Sequence, residues 1–90
     1  MDGGRGYRII MVDVYVPVLD KEYDFCLNPD VKIGTVIEEI SEMIARKEHS
    51  QIMGNVEELI LCDREEGRIL NRAGTLGICR IQTGRRLMLV

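Results

Sequence analysis

From Arg8 to Val16 the chain reads "RIIMVDVYV", a run rich in β-branched residues that stops at Pro17. It predicts a strand. "PVLDKE" turns the chain, and "YDFCLN" then alternates Tyr23, Phe25 and Leu27 with Asp24, Cys26 and Asn28 before Pro29. A period of two buries one face of this second strand, so the two runs form an N-terminal hairpin. The period then changes. Ile33, Val36, Ile37, Ile40, Met43 and Ile44 recur at three- and four-residue spacing, with Glu38, Glu39, Glu42 and Arg46 between them. This predicts one amphipathic helix of about three to four turns. Asp30 lies near its start and Arg46 and Lys47 near its end, as the helix dipole favours. Gly34 near the first turn is a mild cost.

"EHSQIMGN" reads as a loop, and a third strand follows from Glu58 to Asp63. "REEG" is a turn, a short fourth strand lies around Arg68 to Leu70, and Thr75 to Ile78 has room for about one turn of helix. "GRRLMLV" is the last strand. The order is ββαββ, a short turn, then β. Such an α+β chain has few un-knotted solutions. The simplest sets the final strand parallel to the first at the centre of a mixed sheet, with the one helix packed across a single face. That arrangement is a β-grasp. Residues 1–7, polar and glycine-rich, are expected to form a flexible arm, and residues 8–90 one domain.

At this level the chain resembles the ubiquitin-like family. "YDFCLNPDVKIGTVIEEI" resembles the family's strand, proline and helix, and "ELILCDREEGRIL" its strand–turn–strand. "TLGICRIQTGRRLMLV" resembles its ending through Thr75, Leu76, Ile81, Leu87 and Leu89. The long first strand in "VDVYVPVLDKEYDFCLNPD" and the end at Val90 are similar to the YukD/EsaB proteins of type VII secretion in Gram-positive bacteria. The resemblance implies a small cytoplasmic accessory of the secretion machine that is not an enzyme, with no catalytic residues and no cofactor or metal. Modifiers and sulfur carriers in the family need a Gly-Gly tail, and none stands near Val90, so neither conjugation nor sulfur transfer is expected. The alternatives are a carrier or modifier with its tail removed, or a recognition domain from a larger protein.

Strand parity sorts the apolar residues. Ile10, Val12 and Val14 share one face and should meet the helix together with Tyr23, Phe25 and Leu27. The resemblance places Leu59, Leu61, Leu87 and Leu89 inward as well. Ile9, Met11, Tyr15, Ile60, Cys62, Met88 and Val90 are left for the outer face of strands one, three and five. A half-solvated sheet normally carries polar residues there. These are expected to form one contiguous apolar patch, which marks an interaction site. Ile60 and Val90 occupy, by the resemblance, the positions of the isoleucine and valine of ubiquitin's recognition patch. The expected docking face is therefore Ile60, Met88 and Val90, extended by Ile9 and Met11 and rimmed by Arg85 and Arg86. Its occupant would be a protein, either a cytoplasmic part of the secretion machinery or a second copy in a homodimer. The bland alternative is that the arm or long side chains cover these residues. Asp13, inside an apolar strand, should pair with a cation on a neighbouring strand or mark the rim.

Composition narrows the chemistry. The 90 residues suffice for one modest core. A net charge of −3 argues against a nucleic-acid partner. No apolar run approaches the roughly 20 residues of a membrane span, so direct membrane insertion is not expected. Cys26, Cys62 and Cys79 are three, without CxxC spacing, and suit reduced thiols. Nothing in their spacing favours zinc binding with His49. His49 reads as a loop residue, and Glu38, Glu39 and Glu42 as a solvated helix face. Asp63, Glu65 and Glu66 sit in a turn that lacks calcium-loop spacing. Met43 and Met53 are expected core filler.

Overall fold

A computed structural model describes residues 8–49 and 54–90. The expected arm at 1–7, together with Met53 and its three predecessors in the loop, lies outside them. The elements are β1 (Ile10–Val16), β2 (Lys21–Leu27), α1 (Ile33–Glu48), a 3-10 turn (Val56–Glu58), β3 (Leu61–Asp63), β4 (Arg68–Ile69) and β5 (Arg86–Leu89). One mixed sheet holds the strands in the order β2-β1-β5-β3-β4. β5 runs parallel to β1 and antiparallel to β3. The last strand thus sits at the centre, and α1 covers one face.

The two hydrophobic periods meet in the core. Val12, Val14, Val16, Tyr23, Phe25 and Leu27 point inward from the hairpin, and Leu61, Leu87 and Leu89 from the other strands. Ile33, Val36, Ile37, Ile40 and Ile44 descend onto them from α1, and Leu70, Leu76 and Ile81 close the ends. Full burial of each such side chain contributes about 1.5–3 kcal/mol. Ile10 and Leu59 reach this core only in part.

Four local expectations change. Met43 is exposed, not core: it flanks the apolar stripe on the β2 side, where the sheet ends. The opposite flank is closed by Ser41, which is buried. The helix start is not served by Asp30. Lys32 is the N-cap without a side-chain bond, and the orphan N–H groups of Ile33 and Gly34 donate to the Gly74 and Arg72 carbonyls at 2.9 and 3.0 Å. A tertiary loop does the work of a cap.

The third strand begins later than Glu58. Asn55 accepts from the Glu57 N–H through its side chain and winds residues 56–58 into the 3-10 turn. Residues 76–80 form successive turns, with the Cys79 N–H donating to the Thr75 carbonyl, and no helix element. His49 ends α1 in the left-handed region at φ 56°, its N–H returning to the Ala45 and Arg46 carbonyls.

Candidate protein-interaction face

The outer face of the sheet is built by register. Tyr15 on β1 lies beside Met88 on β5, Met88 beside Cys62 on β3, and Cys62 beside Ile69 on β4. One row therefore crosses the sheet as Tyr15, Met88, Cys62 and Ile69, with Glu22 opposite Tyr15 at its far end. Next to it, Ile60 and Val90 exchange both backbone hydrogen bonds, Ile60 N–H to Val90 at 2.6 Å and Val90 N–H to Ile60 at 2.9 Å. Ile60, Val90 and Ile69 are exposed, while Met88, Cys62 and Tyr15 are half-buried. These residues make one apolar field.

On the other side of that row the face turns polar. Asp13 lies between Asp24 on β2 and Arg86 on β5, and the Arg64 N–H donates to the Arg86 carbonyl at 3.0 Å. The Arg64 guanidinium stands 5.1 Å from the Tyr15 ring centre and 3.4 Å from Glu22. This belt separates Ile9 and Met11 from the Ile60, Met88 and Val90 field. Met11 sits beyond the belt against Cys26 and the 83–84 turn, its carbonyl accepting from the Gly84 N–H. Gly84 has φ +93°, which favours glycine at that turn. The single contiguous patch of the sequence is thus two apolar areas. The expected set also lacks Ile69, at 70% exposure the most open residue of the row. Its signal was the alternation Ile69–Leu70, which buries Leu70 and turns Ile69 out.

The two rim arginines part company. Arg86 is exposed beside Asp13, and its side chain lies 3.8 Å from Glu65. Arg85 has the parity of Leu87 and reaches the inner side of the sheet end, 3.4 Å from the fully buried Asp63. Asp63 also has Arg68 at 3.6 Å, and its Oδ1 accepts from the Glu65 N–H at 3.0 Å. Asp63 is thus an anchored core-edge anion and not a free turn carboxylate. Glu66 pairs with Arg68 at 3.1 Å. A weak cation site in this turn has no spare carboxylate from Asp63.

Electrostatics on the face are local. The Asp13 carboxyl is raised above the usual range by its hydrogen bond to Asp24, then by partial burial and the charges of Asp24 and Glu22, with Arg86 opposing. Asp13 thus has Arg86 beside it in register on β5, but the Arg86 side chain pairs with Glu65, and the side-chain partner of Asp13 is the acid Asp24. Burial raises the Cys62 thiol, which keeps it protonated and weakly nucleophilic near neutral pH. Cys26, Cys62 and Cys79 are all free thiols. Among the described residues no three His, Cys, Asp or Glu side chains converge as metal ligands would, and no helix is long and apolar enough to cross a membrane. The face offers apolar contact and hydrogen bonding to a partner.

No protein-family model and no curated protein matches the chain. Solved structures do. The EccD5 ubiquitin-like domain from Mycobacterium xenopi superposes with a TM-score of 0.73 at 17% identity, over 92% of this chain and 93% of that one. An N-terminal ubiquitin-like domain solved in solution gives 0.73 at 23% identity, over 100% and 82%. Caldiarchaeum subterraneum ubiquitin gives 0.69 at 17% identity, over 91% of each chain. Identities this low establish the fold alone. With its central parallel β5 and one crossing helix, the chain has the ubiquitin-like β-grasp fold.

Proposed function

We propose that this domain is a non-enzymatic protein–protein interaction module, a cytoplasmic accessory of a bacterial type VII secretion system. It docks a protein partner through Ile60, Met88 and Val90, with Cys62 and Ile69 completing the field and Arg86 on its polar border. Ile9 and Met11 form a second, smaller contact beyond the charged belt. Arg85 acts from behind, by holding the β3–β4 turn. One observation carries the reading. Three adjacent strands place apolar side chains outward in register, where a solvated sheet face carries polar ones. The secretion context rests on the sequence resemblance to the YukD/EsaB proteins and on the likeness in fold to the EccD5 domain.

The reading is tested by Ile60→Glu and Met88→Glu, which put a charge into the field without touching α1. Both should abolish capture of the secretion machinery's cytoplasmic components from native lysate, or dissociate a homodimer in sedimentation. If oligomeric state and capture are both unaltered in the two folded variants, the docking face is wrong.

A further inference from the structure

Two small side chains leave a space on the α1 flank that faces away from β2. Ser41 and Ala45 stand one turn apart there, opposite the 54–57 segment that leads toward β3. The cavity between them has a volume of about 570 Å³, within the range of small-molecule sites. Glu38 and Glu42 line it from α1, Glu57 lines the facing wall, and Ala45 and Val56 supply apolar surface. Asn55 fixes the facing wall, its side chain accepting from the Glu57 N–H at 3.0 Å. Among the described residues no basic side chain lines the cavity. Arg46 lies outside it, 3.7 Å from Glu42, and the two side chains are 73% and 79% exposed, a pair that contributes little.

A second feature points to a ligand. Ser41 belongs to the cavity wall yet is only 4% exposed, and its hydroxyl has no hydrogen-bond partner among the described residues. Buried polar atoms are normally bonded, so this hydroxyl calls for a partner supplied from the cavity. The carboxylates set that partner's charge, and their spacing sets its shape. Glu38, Glu42 and Glu57 do not converge as the ligands of one metal ion do. Spread over two walls, they suit positive charges carried along a flexible chain and not a single compact divalent ion.

We infer that this cavity binds a linear aliphatic polyamine. Its ammonium groups donate to Glu38 and Glu42 on one wall and to Glu57 on the other. One N–H donates to the Ser41 hydroxyl, and the methylenes lie along Ala45 and Val56. A partner's lysines carry the same ammonium chemistry, but on separate side chains tied to a backbone that the cavity does not admit. The site is on the helix side of the sheet and the Ile60, Met88 and Val90 field is on the other, so either can fail without the other.

Spermidine is the probe, titrated into the isotopically labelled chain at physiological ionic strength, where diffuse attraction is screened. Saturable amide shifts should centre on Glu38, Ser41, Glu42, Asn55 and Glu57, with Cys62, Ile69 and Met88 unmoved. The double variant Glu38→Gln/Glu57→Gln should weaken binding at least tenfold. Glu39→Gln/Glu58→Gln removes the same charge from exposed neighbours outside the cavity and should change binding less than twofold. Ser41→Ala removes the unbonded hydroxyl and suits a helix, so it should fold normally and weaken binding at least threefold. Magnesium at equal charge, and a trilysine peptide, should each bind at least tenfold more weakly than spermidine. Shifts that do not saturate, equal losses from the two glutamine pairs, full binding by Ser41→Ala, or magnesium or trilysine binding as well as spermidine overturns the inference.

Discussion

Arg85 and Arg86 are neighbours in sequence with the same charge, and the fold assigns them unequal tasks. Asp63 is 0% exposed and its Oδ2 depends on Arg85 at 3.4 Å and Arg68 at 3.6 Å. At that separation and an effective dielectric near 20, the gross attraction to Arg85 is about 5 kcal/mol. Removing one partner of a buried pair typically costs about 3–5 kcal/mol, because the remaining charge is stranded. Here Arg68 stays, although it is shared with Glu66 and the Cys79 carbonyl, so we expect about 2–3 kcal/mol for Arg85→Met.

Arg86 is 60% exposed and lies 3.8 Å from Glu65, an ion pair of the kind worth at most about 1 kcal/mol. Arg86→Met should therefore cost less than about 0.5 kcal/mol. For a domain of this size total stability is about 5–13 kcal/mol, so the first loss is a large fraction of it. In urea denaturation with m of about 1 kcal/mol/M, the midpoints should fall by about 2–3 M and by less than ~0.5 M respectively. Adding Asp63→Leu to Arg85→Met should restore part of the loss, since the stranded charge goes with it. Equal midpoints for the two arginine variants, at unchanged m, would mean that buried Asp63 does not depend on Arg85.

Other consequences are simpler to measure. Gly34 has ordinary helical φ, and a Cβ there would meet only Arg72 atoms at 3.6–3.7 Å. Gly34→Ala should thus raise stability by about 0.5–1 kcal/mol in thermal or urea melts, and destabilisation would show that the Arg72 carbonyl contact is tighter than it looks. Tyr23 is pushed up to about 12, by burial first and then by the 2.6 Å hydrogen bond it donates to Glu48. A raised folded value means stability present below pH 10 and lost as pH rises through about 12, so Tyr23→Phe should remove the highest component of the tyrosinate absorbance titration. Glu48 is lowered by its bonds to Tyr23 and Lys21, and its contribution is present above pH 4.5 and lost as pH falls through the lower folded value. Glu48→Gln should flatten the acid limb of the stability curve below pH 4.5. Asp24→Asn should bring the Asp13 carboxyl down toward 3.8 in an NMR titration, because its largest upward cause is the Asp24 carboxyl.

Most of the architecture was legible because period is local. The switch from alternation at Tyr23–Leu27 to three-and-four spacing at Ile33–Ile44 locates the hairpin and helix. Parity also held the split of the arginines, since Arg85 aligns with Leu87 inside and Arg86 with Met88 outside. Asp63 likewise shares the parity of Leu61, and the charge alone made it look like a turn residue. What the sequence could not show is long-range. The carbonyls of Arg72 and Gly74 that cap α1 come from a loop about forty residues away. The charged belt that parts Ile9 and Met11 from the Ile60 field depends on which strand neighbours Asp13, and only the parallel β1–β5 register sets that.

In the proposed function the outer apolar field meets a protein partner. Its most direct test is the isotopically labelled domain titrated with its purified partner, read by amide and methyl NMR. Broadening should centre on Ile60, Cys62, Ile69, Met88 and Val90, weaker at Ile9, Met11 and Arg86, with the solvent face of α1 at Glu38, Glu39 and Glu42 unmoved. Broadening on that helix face, with the sheet field unaffected, would contradict it.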